Sequence, residues 1–410
     1  MKLPLWRIAE FVGTKSQGEP DAVAMGYSID SRTLNPGDLF IAIAGERYDG
    51  HNYVEAALEK GAVGAIVHAD KTVNADPHRL LQVEDSIKAL QALGAAARRL
   101  WGKPLLAVTG SAGKTTTKEI LAHILSTRFR VMKSSGNLNN HIGLPLQLLK
   151  LEAEHDLAVV EMGMNHAGEI RALGALAHHD LAVVTSVAPV HLEFFNSLAE
   201  IARAKYEIIE TLPSGGVAVL NADDDYVCQF GRDFKGKVVT FGIKRAADVS
   251  AQKIRLNGAE GSTFELVAGS VREPVNFPLV GEHNVSNALA AAAAAMERGV
   301  TPSQAAVALS SIQPPEKRGQ VLEIGGTYYR PKFRGTGFNR RVKEMLLKRA
   351  FECGMRRVEF RVDIRNRRSQ AAMKKLGAVR EGVLRADRIT WTGHVRDTVL
   401  FAILRDEWPV

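Results

Sequence analysis

Short apolar runs alternate with helical patterns over the first 100 residues. The alternation of apolar and polar positions predicts both types of element: strands at YSIDSR (27–32), DLFIAI (38–43) and AVGAIVH (62–68), and amphipathic helices at HNYVEAALEKG (51–61) and SIKALQALGAAARRLW (86–101). This stretch is therefore predicted to form a small α/β domain.

The same alternation continues beyond residue 100 with more apolar strands. These are LLAVTG (105–110), LAVVEMG (157–163), LAVVTSV (181–187), GVAVLNAD (216–223) and KVVTFG (237–242). Continuous apolar strands separated by helices predict a parallel sheet covered on both faces. Residues 246–280 predict antiparallel strands with turns, and GEHNVSNALAAAAAAMERG (281–299) predicts a further helix. The fold class is α/β.

Charged residues are distributed unevenly along the chain. The 410 residues are 46% apolar and 24% charged, as in ordinary globular proteins. Residues 327–410 hold 21 Lys and Arg against 9 Asp and Glu, whereas the rest hold 32 against 36. A basic segment can bind nucleic acid, can bind a polyanionic cofactor, or can be a solvated face. Because no aromatic-rich RNA-binding signature accompanies it, nucleic acid is not expected.

Cysteine usage and hydropathy narrow the class further. Cys228 and Cys353 are too far apart in sequence to suggest a disulfide framework or paired metal ligands. The N-terminal MKLPLWRIAEFVG lacks a signal-peptide core. No apolar run reaches the ~18–20 residues that a membrane span needs. We expect a cytoplasmic protein without a membrane span.

The sharpest local motif is TGSAGKTTT (109–117), a glycine turn between a strand and a helix. Backbone N–H groups at such a helix start attract anions, and Gly110 and Gly113 let the backbone approach a phosphate closely. Lys114 can reach the β- and γ-phosphates of a nucleotide, and a hydroxyl of Thr115 or Thr116 can reach Mg²⁺. Val108 replaces the first glycine of the full Walker spacing. The alternative is a glycine turn with a surface lysine, but the strand before and the helix after favour a nucleotide site formed by Gly110, Ser111, Ala112, Gly113, Lys114, Thr115 and Thr116.

TGSAGKTTT resembles the shortened phosphate loop of the Mur ligase family. The first 326 residues resemble its branch that joins D-Ala-D-Ala to UDP-MurNAc-tripeptide in peptidoglycan synthesis. YSIDSRTLNPGDLFIAIAGERYDGHNYVEAALEKGA (27–62) is similar to that branch's UDP-binding domain. The resemblance implies UDP-substrate contacts from Ser31, Arg32, Gly45, Arg47, Asp49 and His51.

The central segments carry further parts of the resemblance. KSSGNLNNHIGLPLQLL (133–149) resembles the loop for the UDP-MurNAc-peptide, with Asn137, Asn139 and Asn140 as candidates. Glu161 ends a strand, where ligands bind in open α/β sheets, and a carboxylate there suits Mg²⁺. The resemblance implies a second Mg²⁺ held by His191 and a carbamylated Lys205. Without the resemblance, Lys205 reads as a surface lysine. Tyr206 stands where a small residue is expected.

GEHNVSNALAAA (281–292) resembles the family's motif beside the adenine of ATP. The resemblance implies that His283, Asn284 and Asn287 contact the nucleotide. Asn284 and Asn287 share one helix face, although Asn284 could simply cap the helix. Arg318 in KRGQ (317–320) resembles an arginine that approaches the nucleotide. Catalysis is assigned to Lys114, Glu161, His191 and Lys205, and metal binding to Thr115, Glu161, His191 and Lys205.

The resemblance to the ligases ends abruptly. It implies a third, closing domain that begins with a motif like DDxYNxNP after the strand in VLEIGG (321–326), and these 410 residues contain no such motif. Because a closed site protects an acyl phosphate from water, we expect weak or absent amide formation. The predicted domains are a UDP-substrate domain (1–100), an ATP-binding domain (101–326) and a different C-terminal segment (327–410).

That segment resembles the C-terminal half of a GNAT acetyltransferase of the ribosomal-protein type. KFRGTG (332–337) has the form of the loop that cradles acyl-CoA pyrophosphate, and NRRSQAAMKKLGAVREG (366–382) and LRDEWP (404–409) extend the match. The implied acetyl-CoA contacts are Arg334, Gly335, Thr336, Gly337, Asn366 and Ser369. Lacking its first strands, the domain is expected to leave a sheet edge open. Two alternatives to a ligase stay open: an acyl-CoA N-acetyltransferase on a nucleotide-binding scaffold, and a non-catalytic nucleotide-binding chimera.

Overall fold

The computed structural model describes residues 1–15, 22–45, 48–189, 194–313, 321–325, 335–352, 355–389 and 395–408, without the side chains of residues 259, 388 and 389. The described chain divides into two compact units. The first comprises Met1–Ile254, Phe264–Val275 and His283–Ile312, and the second comprises Arg255–Thr263, Asn276–Glu282 and Gln313–Val410.

The N-terminal part of the first unit contains a small parallel sheet. Its elements are β1 (Leu3–Pro4), α1 (Leu5–Val12), β2 (Val23–Ala24), β3 (Gly26–Ser28), β4 (Asp38–Ile41), α2 (Val54–Glu59), β5 (Gly64–His68), β6 (Leu80–Val83) and α3 (Ser86–Trp101). Strands β3 to β6 are parallel neighbours in chain order, and β1 and β2 form a separate antiparallel pair. Short 3₁₀ helices lie at Gly50–Tyr53 and Pro77–Arg79. The small α/β domain predicted from the sequence is present.

Helix α3 illustrates how local sequence sets an element's ends. The carboxylate of Asp85 accepts the amides of Ile87 (2.8 Å) and Lys88 (3.0 Å), which satisfies the helix start. Gly102 ends the helix with a φ of 65°, the left-handed conformation that glycine adopts at low cost.

The central sheet follows helix α3. Its elements are β7 (Leu105–Thr109), α4 (Lys114–Ser126), β8 (Val131–Lys133), α5 (Gly143–Leu148), β9 (Leu157–Glu161), α6 (Glu169–Ala177), β10 (Leu181–Val184), α7 (Leu198–Glu210), β11 (Val217–Asn221), β12 (Lys237–Gly242), β13 (Val249–Leu256), β14 (Ser262–Ala268), β15 (Val271–Phe277), α8 (Glu282–Met296) and α9 (Pro302–Ser310). The strand order is β15-β14-β13-β12-β11-β10-β7-β9-β8, and the pairings from β8 through β13 are parallel. Short 3₁₀ helices lie at Val227–Gln229 and Gly258–Glu260.

Helix α3 packs against the helices of the central sheet. A β-carbon on its Gly94 would lie 2.9 Å from Pro145 Cα of α5, so the two helices approach closely. The buried Arg98 donates to the carbonyls of Ala177 (2.7 Å) and His178 (2.9 Å) at the end of α6. The end of the predicted UDP-substrate domain is thus bonded to the predicted ATP-binding domain.

The second unit contains a four-stranded sheet and two helices. The elements are β16 (Val321–Glu323), α10 (Phe338–Glu352), β17 (Arg357–Asp363), α11 (Arg367–Lys375), β18 (Val379–Ile389), β19 (Val395–Leu404) and a 3₁₀ helix at Arg405–Glu407. The strand order is β16-β17-β19-β18, with β16 parallel and β19 antiparallel to β17. Val358, Phe360 and Phe401 are buried in its apolar core.

Strand β16 belongs to the sheet of the second unit. From the sequence, VLEIGG (321–326) is predicted as the last ligase strand, with the domain boundary after Gly326. In the structure its residues Val321–Glu323 pair with Arg357–Glu359 inside the second unit. Within the part of the chain that the structure describes, β16 pairs with β17 alone, and Val321 and Leu322 are exposed. Among the described residues, β16 is therefore an edge strand of this sheet.

No helix among the described residues is long and apolar enough to cross a bilayer.

Candidate functional site

The turn after β7 positions the start of α4. Gly110 and Gly113 have φ of 148° and 85°, and Lys114 is the first helical residue. The amide of Thr117 bonds to Gly113 O at 2.8 Å, so the amides before it lie in the first turn, which has no intrahelical partners. The turn therefore presents N–H groups to an anion, as the sequence predicted.

Both glycines of the turn are required by close neighbours. A β-carbon on Gly110 would lie 1.9 Å from Thr185 Oγ1, and one on Gly113 would lie 2.3 Å from Asn287 Oδ1. Thr185 Oγ1 also donates to Ala112 O at 2.6 Å. On the same side, Ser111 N donates to Ser186 O at 2.8 Å. The end of β10 thus holds the turn from behind, a contribution that the sequence did not reveal.

The ammonium of Lys114 folds back over this turn. It donates to Gly110 O at 2.8 Å. Burial lowers the pKa of Lys114, and the nearby Glu161 carboxylate opposes part of that effect. A half-buried ammonium at the mouth of an amide-lined turn is placed to neutralise phosphate charge.

Glu161 lies at the centre of a hydrogen-bond network. Its carboxylate is buried and accepts Thr115 Oγ1 at 2.8 Å and Asn139 Nδ2 at 2.7 Å. Its amide donates to Ser134 Oγ at 3.2 Å. The structure therefore brings together three predicted residues from α4, β9 and the loop after β8, and adds Ser134, which the sequence analysis missed.

Helix α8 contributes Asn287 to the back of the turn. Asn287 Oδ1 accepts Thr117 Oγ1 at 3.3 Å, and its Nδ2 donates to Asn284 Oδ1 at 3.1 Å. Asn284 and Asn287 thus share one face, as predicted, and the buried Asn287 packs on the phosphate turn. His283 is exposed on the same helix, and Thr116 is half-buried on α4.

Lys205 is almost fully buried on α7. Burial, together with the smaller effect of the neighbouring Lys114 charge, lowers its pKa to about 7. Lys205 therefore is not the surface lysine that the pattern alone suggested. The ring of the next residue, Tyr206, packs on Phe230 with centroids 5.3 Å apart. Tyr206 is therefore partly buried against the hydrophobic core.

The other asparagines of the loop have different surroundings. Asn140 Oδ1 accepts the amides of Ile142 (3.2 Å) and Gly143 (2.7 Å) at the start of α5. Asn137 is exposed. Asn140 shapes the loop, whereas Asn137 is open to a ligand.

The UDP-side candidates form hydrogen bonds beside β3 and β4. Arg32 bonds to Asp30 through its side chain (2.9 and 2.7 Å), which lowers the pKa of Asp30 to about 2. Lys60 Nζ donates to the carbonyls of Ser31 (3.2 Å) and Arg32 (2.6 Å). Gly45 N donates to Tyr48 O at 2.9 Å.

His51 is bonded on both ring nitrogens. Its Nδ1 lies 2.5 Å from Asp49 Oδ1, and its Nε2 accepts the amide of His68 at 3.0 Å. Asp49 also accepts Lys71 Nζ at 2.9 Å, and these bonds lower its pKa. The buried His51 therefore holds the loop in shape, with the Nδ1–H tautomer set by its two partners.

Four predicted residues, Arg47, His191, Arg318 and Arg334, lie outside the described residues. Among the residues that are described, no group of three or more His, Cys, Asp or Glu side chains is arranged to hold a metal ion. Thr115 and Glu161 are the oxygen donors of the predicted metal set that the structure brings together.

The acyl-CoA candidates of the second unit include a glycine turn before a helix. Gly335 and Gly337 have φ of 80° and 78°, and α10 begins at Phe338, with Thr336 between the glycines. Asn366 Oδ1 accepts the amide of Ser369 at 3.0 Å and so caps α11. The two residues are joined to each other at the start of that helix.

Models of known protein families match three overlapping stretches of the chain. The Mur ligase family, catalytic domain, matches residues 24–127, and the Mur ligase middle domain matches residues 108–295. The acetyltransferase (GNAT) domain matches residues 282–379.

Similar proteins give the same result. The UDP-N-acetylmuramoyl-tripeptide--D-alanyl-D-alanine ligase of Bacillus subtilis is 38% identical over 322 residues, 76% of this chain and 68% of that protein. The Escherichia coli ligase of the same name is 38% identical over 303 residues, which are 73% of this chain and 66% of that protein. MurF from Acinetobacter baumannii superposes with a TM-score of 0.72 at 28% identity, covering 87% of this chain and 85% of that one. MurF from Thermotoga maritima in complex with ADP superposes with a TM-score of 0.64 at 30% identity, covering 73% of this chain and 70% of that one. The chain therefore belongs to the Mur ligase family, in the branch of the UDP-N-acetylmuramoyl-tripeptide–D-alanyl-D-alanine ligases, and it carries a GNAT acetyltransferase domain toward its C-terminal end.

Proposed function

We propose that the first unit binds ATP at the turn from Gly110 to Thr116 and UDP-MurNAc-tripeptide at the N-terminal sheet and the 137–140 loop. The observation that carries this proposal is the position of Glu161. Its buried carboxylate is bonded both to Thr115 of the phosphate helix and to Asn139 of the substrate loop. One carboxylate thus joins the two binding regions that a ligase must bring together.

Mg²⁺ is the cation that this donor set fits. Thr115 and Glu161 supply a hydroxyl and a carboxylate 2.8 Å apart, and hard oxygen donors are the ligands that Mg²⁺ prefers. Mg²⁺ bound there would neutralise charge on the nucleotide phosphates. These residues would hold it from the protein side, with Lys114 as a further positive charge.

Lys205 fits the role of a carbamylated lysine. Only a neutral amine reacts with CO₂, and the pKa of about 7 leaves a large neutral fraction at neutral pH. The product would be an anion that can bind a metal ion or compensate the nearby Lys114 charge. His191 is the second proposed ligand on the family resemblance.

The proposed reaction is the ATP-driven formation of an amide. A carboxylate oxygen of the tripeptide attacks the γ-phosphorus of ATP, and ADP leaves. The amine nitrogen of D-Ala-D-Ala then attacks the acyl carbon, phosphate leaves and the nitrogen loses a proton. We propose that amide formation is weak, since the family resemblance gives way to a GNAT segment after the ATP-binding domain and an acyl phosphate needs protection from water.

A direct assay tests this function. Purified protein with ATP, Mg²⁺, UDP-MurNAc-tripeptide and D-Ala-D-Ala is followed for ADP and for the UDP-MurNAc-pentapeptide, alongside binding of each ligand alone. We expect ADP and UDP-MurNAc-tripeptide to bind, with pentapeptide formed slowly or not at all. Turnover of about 1–1000 per second would refute the impairment, and absence of binding by both ligands would refute the function.

A second candidate function concerns the GNAT domain. The observation that favours it is the pair of left-handed glycines, Gly335 and Gly337, immediately before α10, a geometry that suits the pyrophosphate of acetyl-CoA. Acetyl transfer to a peptide amine would release free CoA. A thiol assay with acetyl-CoA and amine-bearing peptides tests it, and a lack of acetyl-CoA binding by calorimetry would reject it.

For the whole chain we propose a cytoplasmic location, where these nucleotide substrates are found, and no nucleic-acid partner.

A further inference from the structure

Lys118 is a fully buried lysine that the proposed chemistry does not use. It lies on α4, one turn after Lys114, with an exposed fraction of 0%. Its ammonium donates to Ser134 O at 2.6 Å and Gly136 O at 3.3 Å, and it lies 3.1 Å from a carboxylate oxygen of Glu119. A charge removed from water is retained only where such partners compensate it.

The two carbonyls belong to the segment that leads into the 137–140 loop. Ser134 also accepts the amide of Glu161 through its hydroxyl, at 3.2 Å. Further along, Asn139 donates to the Glu161 carboxylate, and the carbonyl of Asn139 accepts the amide of Gly163 at 2.9 Å. The loop is therefore fastened at both ends, to α4 through Lys118 and to the end of β9 through Asn139.

Lys118 and Thr115 fasten the same helix to this network at different points. Thr115 Oγ1 donates to the Glu161 carboxylate, while Lys118 Nζ holds the loop backbone. Helix α4, the loop at residues 134–140 and the Glu161 carboxylate are thus joined to one another by hydrogen bonds.

We propose that Lys118 is a positioning residue that builds the UDP-substrate loop onto the phosphate-binding helix. The hydrogen bonds of its ammonium go to the carbonyls of Ser134 and Gly136, and it acts by fixing these two carbonyls. The inference rests on the proposed function of the loop. It goes further by assigning the assembly of that loop to one buried cation.

Hydrogen exchange tests the assignment without any ligand. In Lys118→Met we expect exchange in residues 134–140 to rise about tenfold or more, while β7 and β9 keep their protection. Glu119→Gln is the matched control, because it removes the carboxylate charge that Lys118 and Lys133 share and leaves both carbonyl contacts of Lys118. Its exchange in 134–140 should stay within about twofold of the wild type. Unchanged exchange in Lys118→Met would overturn the proposal.

Binding separates a positioning role from a merely structural one. Measured by calorimetry, Lys118→Met should lower the affinity for UDP-MurNAc-tripeptide about tenfold or more, and the affinity for ADP with Mg²⁺ by less than about threefold. A general destabilisation of the fold would lower both affinities alike. Lys118→Arg, which keeps a cationic donor, should recover part of the lost affinity. Equal weakening of both ligands, or no recovery of affinity with arginine, would count against the proposal.

The two proposals fail in different ways. If the wild-type chain binds ADP and not UDP-MurNAc-tripeptide, the proposed substrate is wrong, and the exchange comparison still decides whether Lys118 orders the loop. If Lys118→Met does not fold, Lys118→Gln replaces it, because it keeps a polar side chain at the buried position and removes the ammonium that reaches the carbonyls of Ser134 and Gly136. Unchanged exchange in residues 134–140 of Lys118→Gln would then overturn the assignment.

Discussion

Asn287 Oδ1 of helix α8 lies 2.3 Å from the position that a β-carbon on Gly113 would occupy. Helix α8 therefore approaches the phosphate turn so closely that only glycine fits there. The contact joins two motifs that are about 170 residues apart in the sequence, TGSAGKTTT and GEHNVSNALAAA.

Gly113→Ala should damage nucleotide binding through this contact. The substitution adds a steric clash to the cost of a φ of 85°, so we expect a loss of unfolding free energy of about 1–3 kcal/mol and ADP affinity reduced about tenfold or more. Gly168→Ala is the matched control, since Gly168 has a φ of 87°, also precedes a helix, and has nothing within 4 Å of its added carbon. If both variants bind ADP like the wild type, the contact with Asn287 does not constrain the turn.

Thr115→Ala should weaken the Mg²⁺-dependent part of ADP binding. The variant removes the hydroxyl that donates to the Glu161 carboxylate, and a hydrogen bond to a charged group contributes about 1.5–3 kcal/mol, equivalent to roughly 10- to 100-fold in affinity. Calorimetry with Mg²⁺ and with a chelator measures the effect. Thr115→Ser should restore most of the affinity, and an equal loss with and without Mg²⁺ would contradict the assigned role.

Lys205 should take up CO₂ at neutral pH. Because burial lowers its pKa to about 7, the reactive neutral amine predominates above that pH, whereas an ordinary lysine needs a pH above about 10. With ¹³C-bicarbonate we expect a carbamate signal that rises through about pH 7. Lys237→Met, at an exposed lysine paired with Glu297, should keep this signal, and Lys205→Met should lose it. A signal that survives in Lys205→Met would place the carbamate elsewhere.

His179 should make the first unit less stable in acid. Burial lowers its pKa to about 4, and its Nε2 lies 2.9 Å from Ile208 O. The unfolded chain then binds more protons than the native one between about pH 6.5 and 4, so stability falls as the pH falls through that range and levels off below it. The maximum contribution is about 3 kcal/mol.

Urea unfolding of the wild type and His179→Asn at pH 7 and pH 4 measures this contribution. The asparagine variant does not titrate, so its unfolding free energy should fall less steeply over the same interval. Identical pH dependence in both proteins would show that His179 does not contribute.

Leu322→Lys should reduce self-association through the edge of β16. Leu322 is 38% exposed on a strand that pairs with β17 alone within the described chain, and unpaired edges with apolar side chains recruit other strands. Light scattering at rising protein concentration should show less association in Leu322→Lys than in the wild type. Leu346→Lys is the control, since Leu346 is similarly exposed on helix α10. Equal behaviour of the two variants would exclude the strand edge as the cause.

The strand, glycine turn and helix around the predicted phosphate site could be predicted from the sequence because their signal is local. A strand, a glycine turn and a helix within a few residues fix where the amides point, and Lys114 and Thr115 follow directly in the chain. The positions of Ser134, Lys118 and Thr185 were not predicted. Each acts through a contact with a distant segment, and none differs in its local pattern from an ordinary strand or helix residue.

The sequence alone determined the two families, the strand–helix alternation and the candidate residues, because motifs and hydrophobic periods are properties of neighbouring residues. The tertiary structure decided which candidates meet. It joined Thr115, Asn139 and Glu161, turned Tyr206 into the core, used His51 and Asn140 to shape loops, and buried Lys205 so that its pKa falls. It also paired Val321–Glu323 with β17 in the second unit. Burial and strand pairing depend on segments that are far apart in the chain, so no local pattern could specify them.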